Sequence, residues 1–510
     1  MNRNIKDREA YTVITNAFKR QRSGATVVDI AAKTALSLTK VKELAPAVAD
    51  EYAGRLQVTE SGEILYSFPH GFKSKYRGPS VFLWKLFEKF GKGLKIFASL
   101  LFKVWIMVML IGYFALFMLL ALLALVVSIG GSSNSNSRSD HGGGLFLAHG
   151  IFDLIIRIWF YSEIAKSFNP NYRGRQARPA GRPLHKAIFS FVFGDGNPNA
   201  DWETRSRRAV IAYIQANKGV ISLPEYVMLT GLPLSDAEGA ITAFCAEFNG
   251  SPEATDYGTV VYRFDDLLLR ADTRDHSFVG SSPLKRVEVF SSNKKSMNVW
   301  LSVINGVNVL FGGYFLFNAI KYGEIVAREL PRGGRTVLQL ISTVTDSAPS
   351  FLYGMTYYLL EKFSMNPLPI ITIGLGMSPL VFSVLFWLVP AIRSSLVKKN
   401  NETIKFENLR KLGYAHVWAF PRGVRTVDVG HSDRALVDDV CAPSNLPRAQ
   451  DSIVKEIGVY SSPEVRTDST GGVVYDFSEL EREKSAIEAY RATVRPSEIG
   501  EVVFDSESEE

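Results

Sequence analysis

The hydrophobic positions of this chain fall into long uncharged runs that alternate with short amphipathic segments. The longest run, residues 104–129, holds 26 residues without a charged side chain. Because a helix rises about 1.5 Å per residue, this run exceeds the roughly 30 Å hydrocarbon core of a bilayer. Uncharged runs also cover residues 297–320 and 368–392. These three runs predict membrane-spanning helices.

Two weaker apolar runs leave alternatives open. Residues 145–165 contain Asp153 and Arg157, which stand four residues apart and therefore share one helix face. Pairing would lower the cost of burying both charges, so we expect a return span with an intramembrane polar pair. An interfacial helix that never crosses is the alternative. Residues 337–360 are interrupted by Asp346 and Pro349, which favours a re-entrant or interfacial segment over a further crossing.

Basic residues set the expected orientation. They cluster in residues 73–103 and 173–186, next to the first two runs, and the positive-inside rule places such segments in the cytoplasm. If the chain crosses the membrane four times, its amino and carboxyl termini both lie on the cytoplasmic side. No apolar signal region follows the amino terminus. The sequence predicts a multi-pass protein of the cytoplasmic (inner) membrane, with its basic segments near anionic lipid headgroups.

The polar segments outside these runs contain an internal repeat. Residues 7–69 read as a helix, a short strand at 26–29, two further helices and a hairpin at 56–68. That order is typical of a winged helix. It returns at residues 204–266 and, more loosely, at 402–482. We number these segments modules 1, 2 and 3.

Equivalent residues recur at similar spacing in the three modules. A glycine before the short strand precedes the turn glycine of the hairpin by 38, 39 and 48 residues in modules 1, 2 and 3. A Tyr-x-Phe motif begins four residues after the turn glycine, at Tyr66, Tyr262 and Tyr475. Coincident features at each copy favour repeats over chance similarity.

The expected fold class is an α-helical membrane protein with α+β winged-helix-like cytoplasmic modules in three repeats. The tail is acidic, and we expect its last ten residues to be disordered. The expected domains are module 1 (1–70), a basic juxtamembrane segment with a transmembrane hairpin (71–168), a basic linker with module 2 (169–290), a transmembrane pair (291–395), module 3 (396–485) and the acidic tail (486–510).

The sequence offers no recognisable catalytic or metal-binding motif. The two cysteines form no C-x-x-C pair, the seven histidines lack ligand spacing, and there is no G-x-S-x-G elbow. Residues 194–199 (GDGNPN) lack the features of a phosphate or calcium loop, so we interpret them as a structural turn. Asn305 and Asn308 share a helix face, and we expect them to bond between helices. The sequence therefore predicts a non-enzymatic protein without metal or cofactor.

The charge of the modules argues against DNA binding. Winged helices that bind DNA present a basic third helix and a basic wing to phosphate. Here the predicted third helix of module 2 has three acids and no lysine or arginine. Each wing tip also carries an acid, at Glu60, Asp256 and Asp468. We therefore predict that these three wing tips contact protein partners.

Residues 187–199 (AIFSFVFGDGNPN), which lead into a basic helix, resemble a family of uncharacterised multi-pass membrane proteins. That family occurs in cyanobacteria, chloroplasts and some other bacteria, and the resemblance covers roughly residues 183–265. Some plant members carry an iron–sulfur assembly label. The two unpaired cysteines of this chain supply no cluster site, and the resemblance transfers no catalytic residue.

Our first functional hypothesis is an integral membrane scaffold that docks protein partners through its cytoplasmic modules. The alternative is a small-solute or ion transporter or channel with regulatory modules. A membrane-tethered DNA-binding regulator comes third. The sequence leaves open the identity of the partners and whether the chain forms a homo-oligomer.

Overall fold

The computed structural model of the chain describes residues 5–21, 24–75, 97–130, 183–271, 283–329, 351–429, 440–469, 471–495 and 498–506. Most of these residues are helical, and three small antiparallel sheets accompany the helices. The chain divides into two compact units. Unit 1 contains Met1–Leu86, Asn197–Glu288 and Lys398–Glu510, and unit 2 contains Phe87–Gly196 and Val289–Val397.

The α-helices named below contain 8 to 42 residues, and the strands contain two to five residues. The α-helices are α1 (Ile5–Lys19), α2 (Val27–Thr34), α3 (Leu38–Glu51), α4 (Tyr113–Gly130), α5 (Leu184–Phe193), α6 (Trp202–Ala216), α7 (Leu223–Thr230), α8 (Leu234–Phe248), α9 (Lys295–Glu329), α10 (Phe351–Lys362), α11 (Ser378–Ala419), α12 (Leu446–Ser461) and α13 (Ser478–Thr493). The strands are β1 (Arg55–Thr59), β2 (Ile64–Ser67), β3 (Val220–Ile221), β4 (Ser251–Ala254), β5 (Val260–Arg263), β6 (Glu464–Thr467), β7 (Val473–Asp476) and β8 (Val502–Asp505).

Three helical stretches are long and apolar enough to cross a membrane. They are Phe97–Ala124, Lys295–Tyr322 and Pro367–Ala419, and each overlaps one of the three uncharged runs of the sequence. In the third stretch the uncharged part is residues 368–392, and the charged residues 393–419 lie beyond it, partly in unit 1. The fourth expected span, residues 145–165 with Asp153 and Arg157, lies outside the described residues. Of the expected re-entrant segment, residues 351–360 belong to α10 and residues 337–350 lie outside the described part.

Glycines allow two helical segments of unit 2 to approach closely. A Cβ placed on Gly376, in the π-helical segment Ile370–Met377, would lie 3.1 Å from the Cα of Leu316 in α9. A Cβ on Gly312 would lie 3.3 Å from the carbonyl oxygen of Gly376. Small residues at such crossings are typical of helix packing in membranes, where close backbone approach supplies the dispersion energy.

Asparagine amides add polar contacts between the helices of unit 2. The Nδ2 of Asn305 donates to the carbonyl oxygen of Ser383 in α11, at 3.1 Å. The Nδ2 of Asn308 donates to the carbonyl oxygen of Leu110, at 2.7 Å, within the π-helical segment Val108–Gly112. The prediction that these asparagines bond between helices is confirmed.

The GDGNPN motif makes structural contacts in both units. In unit 2 the Asp195 carboxylate accepts hydrogen bonds from the Ser190 hydroxyl (2.7 Å) and the Ser292 amide (2.9 Å). In unit 1 the Asn199 side chain donates to the carbonyl of Arg286 and accepts from its amide, at 2.7 and 2.9 Å. These contacts fix the chain locally and agree with a structural turn.

The three repeated segments share local geometry within unit 1. In each, the tyrosine of the Tyr-x-Phe motif pairs antiparallel with a residue just after the first glycine; the pairs are Ala25 with Tyr66, Ile221 with Tyr262, and Val424 with Tyr475. In each, the carboxylate of an acidic residue accepts a hydrogen bond from the backbone amide of the helix-capping residue three positions before it. The pairs are Thr26 with Asp29, Ser222 with Glu225, and Arg425 with Asp428. These shared features support the internal repeat.

The expected strand at residues 26–29 is wrong. Thr26 is the N-cap of α2, and the helix begins at Val27. The Thr26 hydroxyl accepts from the Asp29 amide, while the Asp29 carboxylate accepts from the Thr26 amide. This capping box satisfies the first amide groups of a helix, so at the position of the predicted short strand only Ala25 pairs in extended form, with Tyr66.

One continuous apolar core joins the three segments of unit 1. It includes the fully buried Ile14 and Leu38 from module 1, Val227 and Phe248 from module 2, and Ile453 from module 3. The first helix of module 3 is the carboxyl-terminal part of α11. Because each module contributes to the same core, removing one would expose apolar surface of the others.

The expectation of a disordered tail is wrong for residues 502–505. These residues form β8, which pairs antiparallel with β1, so the sheet of module 1 has the order β2-β1-β8. The tail is acidic, but its Val502-Val503-Phe504 sequence has the apolar, β-branched composition of a strand. Pairing with β1 satisfies backbone groups along one edge of β8.

Candidate protein-docking surface

The first predicted contact residue, Glu60, lies at a hairpin tip that the chain itself covers. Its side chain is exposed, but its amide donates to the carbonyl of Glu501 at 2.9 Å. The Ser61 amide donates to the carbonyl of Ile499 at 3.3 Å. The segment before β8 therefore occupies this tip.

The outer edge of the first hairpin is filled in the same way. Gln57 stands opposite Asp505 and Val58 opposite Phe504 in the β1–β8 pairing. The Asp505 carboxylate accepts from Arg55 Nε (2.8 Å) and from Gln57 Nε2 (2.8 Å). Arg55 contacts both oxygens of this carboxylate. A bidentate contact between an arginine and a carboxylate adds geometric specificity as well as energy, so it fixes the register of β8 on β1. Module 1 thus shows an added strand held along its β1 edge.

The second hairpin presents an exposed tip but an obstructed edge. Asp256 is exposed, and the neighbouring Tyr257 is 79% exposed. The edge strand β4 contains Pro252, which has no amide hydrogen to offer an added strand. The Tyr490 hydroxyl of α13 also donates to the Glu253 carboxylate of this strand. Asp256 is therefore accessible, whereas strand addition at β4 is hindered.

The third predicted contact residue, Asp468, is largely engaged within its own module. Its carboxylate lies 2.7 Å from a terminal nitrogen of Arg425 and accepts from the Gly472 amide at 2.9 Å. The side chain is mostly buried. Asp468 thus holds the turn of the third hairpin, and its burial limits what it can present to a partner.

The most accessible hairpin is nevertheless the third one. Every residue of β6 is exposed, and within the described residues β6 pairs with β7 alone. Val465 is 62% exposed and Val473 is 50% exposed. Both lie on the same face, because Val465 stands opposite Tyr475 and Val473 precedes Tyr475 by two residues. We name Val465, Val473 and the outer edge of β6 the hairpin 3 surface.

The charges on the third helices of modules 2 and 3, α8 and α12, do not favour the binding of phosphate groups. In module 2, α8 carries acids at Asp236 and Glu238, and its Glu247 pairs with Arg207. In module 3, Lys455 of α12 lies 2.7 Å from the Asp451 carboxylate. The cations of these helices are thus few or already paired, which leaves little positive field for a nucleic acid.

One buried cation was missed by the sequence reasoning. Lys411 in α11 is 2% exposed, its Nζ donates to the carbonyl of Pro283 at 2.9 Å, and it lies 4.4 Å from the centre of the Trp202 ring. Burial, followed by the nearby charge of Lys285, lowers the pKa of Lys411 to about 7. Perturbed groups cluster at functional sites but also occur in structural networks. Nothing in the helical pattern distinguishes this lysine from a solvated one.

A second buried network joins module 2 to α13. Glu225 is buried and accepts from the Tyr213 hydroxyl at 2.6 Å and from Arg491 at 2.7 Å. Nearby, burial raises the pKa of Glu483 to about 7, while a hydrogen bond from the Tyr460 hydroxyl at 2.9 Å opposes that shift. These contacts bond elements distant in sequence, so no local signal could reveal them.

The described residues hold no group of three or more histidine, cysteine, aspartate or glutamate side chains placed to bind a metal. Cys245 and Cys441 are both buried, and burial raises the pKa of each thiol to about 11. Since the thiolate is the reactive form, these cysteines are poor nucleophiles near neutral pH.

No family model matches the chain, and no solved structure matches it. The chain is 24% identical over 413 residues to an uncharacterised chloroplast protein of Arabidopsis thaliana, an alignment covering 78% of this chain and 70% of the relative. This agrees with the resemblance to an uncharacterised family that includes chloroplast proteins. The chain is thus similar, over most of its length, to a chloroplast protein whose name describes it as uncharacterised.

Proposed function

We propose that this protein is a membrane-bound, non-enzymatic scaffold that docks extended segments of partner proteins on the hairpin 3 surface. The observation that carries the proposal is the open edge of β6 beside the exposed Val465 and Val473. A sheet edge gives affinity through main-chain hydrogen bonds, and apolar side chains beside it give selectivity.

Module 1 supports this mode of binding. Leu56 of β1 stands opposite Tyr66, and Val465 of β6 stands opposite Tyr475, so the two strands hold the same place in the repeat. The outer edge of β1 already carries an added antiparallel strand, β8. An extended segment along β6 would repeat that arrangement with a partner in place of the tail.

The proposed location is the cytoplasmic face of an inner membrane. The three apolar helical stretches support membrane insertion. The basic residues beside the first of them, such as Lys103, suit contact with anionic headgroups. With this orientation the winged-helix-like modules of unit 1 lie in the cytoplasm, where soluble partners are available.

The test is affinity capture from native membranes with the intact chain. We expect wild-type protein to recover a discrete set of partners and the Val465→Asp/Val473→Asp double variant to lose them. Two charges on this face would oppose burial against a partner strand. Val13→Asp, which changes a 43% exposed valine of α1, is the matched control and should keep the partners. Recovery of the same set by all three proteins, or of none by the wild type, would overturn the proposal.

Transport is a second candidate, favoured by buried oxygens in unit 2. Asn305 Oδ1, Asn308 Oδ1 and Ser383 Oγ are buried, and the described contacts give them no hydrogen-bond partner. Unpaired oxygens in an apolar region are costly and suit an ion or water path. Ion flux into vesicles that Asn308→Leu abolishes would favour this candidate over the scaffold. Salt-sensitive retention on DNA would instead favour the third, a membrane-tethered regulator.

A further inference from the structure

Module 1 contains a partly open cavity that the proposed function does not use. Its volume is about 300 Å³, close to the lower size of small-molecule sites in proteins. It lies between the end of α1, the hairpin and the loop that follows the hairpin. Its lining includes Phe18, Lys19, Tyr66, Phe68, Gly71 and Phe72.

Comparison of the three modules gives the physical origin of the cavity. The third residue after the phenylalanine of the Tyr-x-Phe motif is Leu267 in module 2 and Leu480 in module 3, and both are buried in the core of unit 1. The same position in module 1 is Gly71. A Cβ on Gly71 would meet no atom within 4 Å. Module 1 therefore lacks the side chain that fills this position in the other copies.

The walls left by this substitution are aromatic. The rings of Phe68 and Phe72 stack with their centres 4.6 Å apart and their planes 29° apart. Phe18 lies 5.2 Å from Phe68, centre to centre. Phe264 and Phe477, the counterparts of Phe68, are fully buried, whereas Phe68 is half-buried. Planar apolar walls of this kind favour a flat ring between or against them.

A cation lies at the edge of the same cavity. Lys19 Nζ is 5.5 Å from the centre of the Phe72 ring and 5.8 Å from that of Tyr52. No acid lies within ion-pair distance of Lys19 among the described side chains. A ligand bearing an anionic group would supply the counter-charge that the described side chains do not.

From the cavity, its aromatic walls and Lys19, we propose that module 1 binds a small aromatic carboxylate. The ring occupies the space that the leucine fills in modules 2 and 3, against Phe68 and Phe72. The carboxylate faces the Lys19 ammonium. This site is distinct from the hairpin 3 surface, and its existence does not depend on the scaffold function.

The test uses the full chain in detergent and fluorine NMR of two matched probes, 4-fluorobenzoate and 4-fluorobenzyl alcohol. We expect saturable binding of the benzoate with a Kd on the order of 0.1 mM, which suits a ligand of this size. The neutral alcohol should bind about tenfold more weakly because it lacks the charge-assisted contact. Lys19→Gln should weaken benzoate binding to the level of the alcohol.

Two variants of Gly71 test the cavity itself. Gly71 has a φ of +72°, so Gly71→Leu and Gly71→Ala introduce the same backbone strain. Only leucine is large enough to fill the space. We expect Gly71→Leu to abolish benzoate binding and Gly71→Ala to retain it. Absence of saturable binding to wild type, equal affinity for the two probes, or benzoate binding unchanged by Lys19→Gln or Gly71→Leu would each overturn the proposal.

Discussion

Replacing Lys411 by methionine should stabilise the protein near neutral pH and change the pH dependence of its stability. Lys411 is buried beside Trp202, and burial lowers its pKa from 10.5 to about 7. The unfolded chain exposes this lysine to water, where it binds a proton up to its ordinary pKa. Folding therefore competes with protonation of Lys411 at every pH below that value.

The direction and size of the effect follow from linkage. Because the unfolded state binds a proton that the folded state does not, the free energy of unfolding rises with pH between about 7 and 10.5. The cost at pH 7 is on the order of 5 kcal/mol, and it falls by about 1.4 kcal/mol per pH unit. Lys411→Met removes this cost but leaves the Pro283 carbonyl without its donor, which costs about 1–3 kcal/mol. We expect a net gain of about 3 kcal/mol at pH 7 and almost none near pH 9.

Urea unfolding of the full chain in detergent, followed by tryptophan fluorescence at several pH values from 7 to 9, measures this effect. The difference between wild type and Lys411→Met isolates Lys411, since the buried cysteines titrate equally in both. Lys399→Met, at an exposed position of the same helix, is the control and should follow the wild type. Parallel pH profiles of wild type and Lys411→Met, or a less stable variant at pH 7, would refute the reasoning.

Three further changes test the packing of the two units and the tail. Gly376→Leu should lower the thermal unfolding midpoint in detergent, because the new Cβ would lie 3.1 Å from the Leu316 Cα and overpacking of this kind costs at least about 1–3 kcal/mol. Gly313→Leu, whose Cβ meets nothing within 4 Å, should change the midpoint little. Glu225→Gln should cost about 3–5 kcal/mol in urea unfolding because Arg491 would remain buried without its counter-ion, whereas the exposed Glu238→Gln should have almost no effect. Arg55→Ala should leave Asp505 with Gln57 as its remaining side-chain donor and speed amide exchange in residues 502–505 about tenfold by mass spectrometry. Unchanged exchange, or an equal effect of Arg466→Ala, would contradict the tail assignment.

The parts of the fold that the sequence predicts depend on local patterns. The three apolar helical stretches follow from uncharged runs whose length alone matches a bilayer. The three hairpins follow from the residues around Tyr66, Tyr262 and Tyr475, since an alternating hairpin strand and its turn glycine are encoded within about ten residues. The corresponding hairpins lie where the pattern places them.

The parts that the sequence does not reveal depend on residues far apart in the chain. The pairing of Asp505 with Arg55 joins residues 450 positions apart, so the acidic composition of the tail does not predict β8. Asp468 reads as an exposed wing acid because its partner Arg425 belongs to the start of the module. Lys411 reads as a solvated helix residue because the burial around it comes from Trp202 and Pro283, which other segments supply.

The central claim is that the third hairpin docks partners while the first is occupied by the tail. Val473 and Ile64 hold the same place in the repeat, since each lies two residues after the turn glycine of its hairpin. A photo-reactive phenylalanine derivative placed at either position, followed by irradiation in native membranes, compares the two hairpins directly. We predict discrete protein adducts from position 473 and none from position 64. Equal adducts from both positions, or no adduct from position 473, would contradict the account.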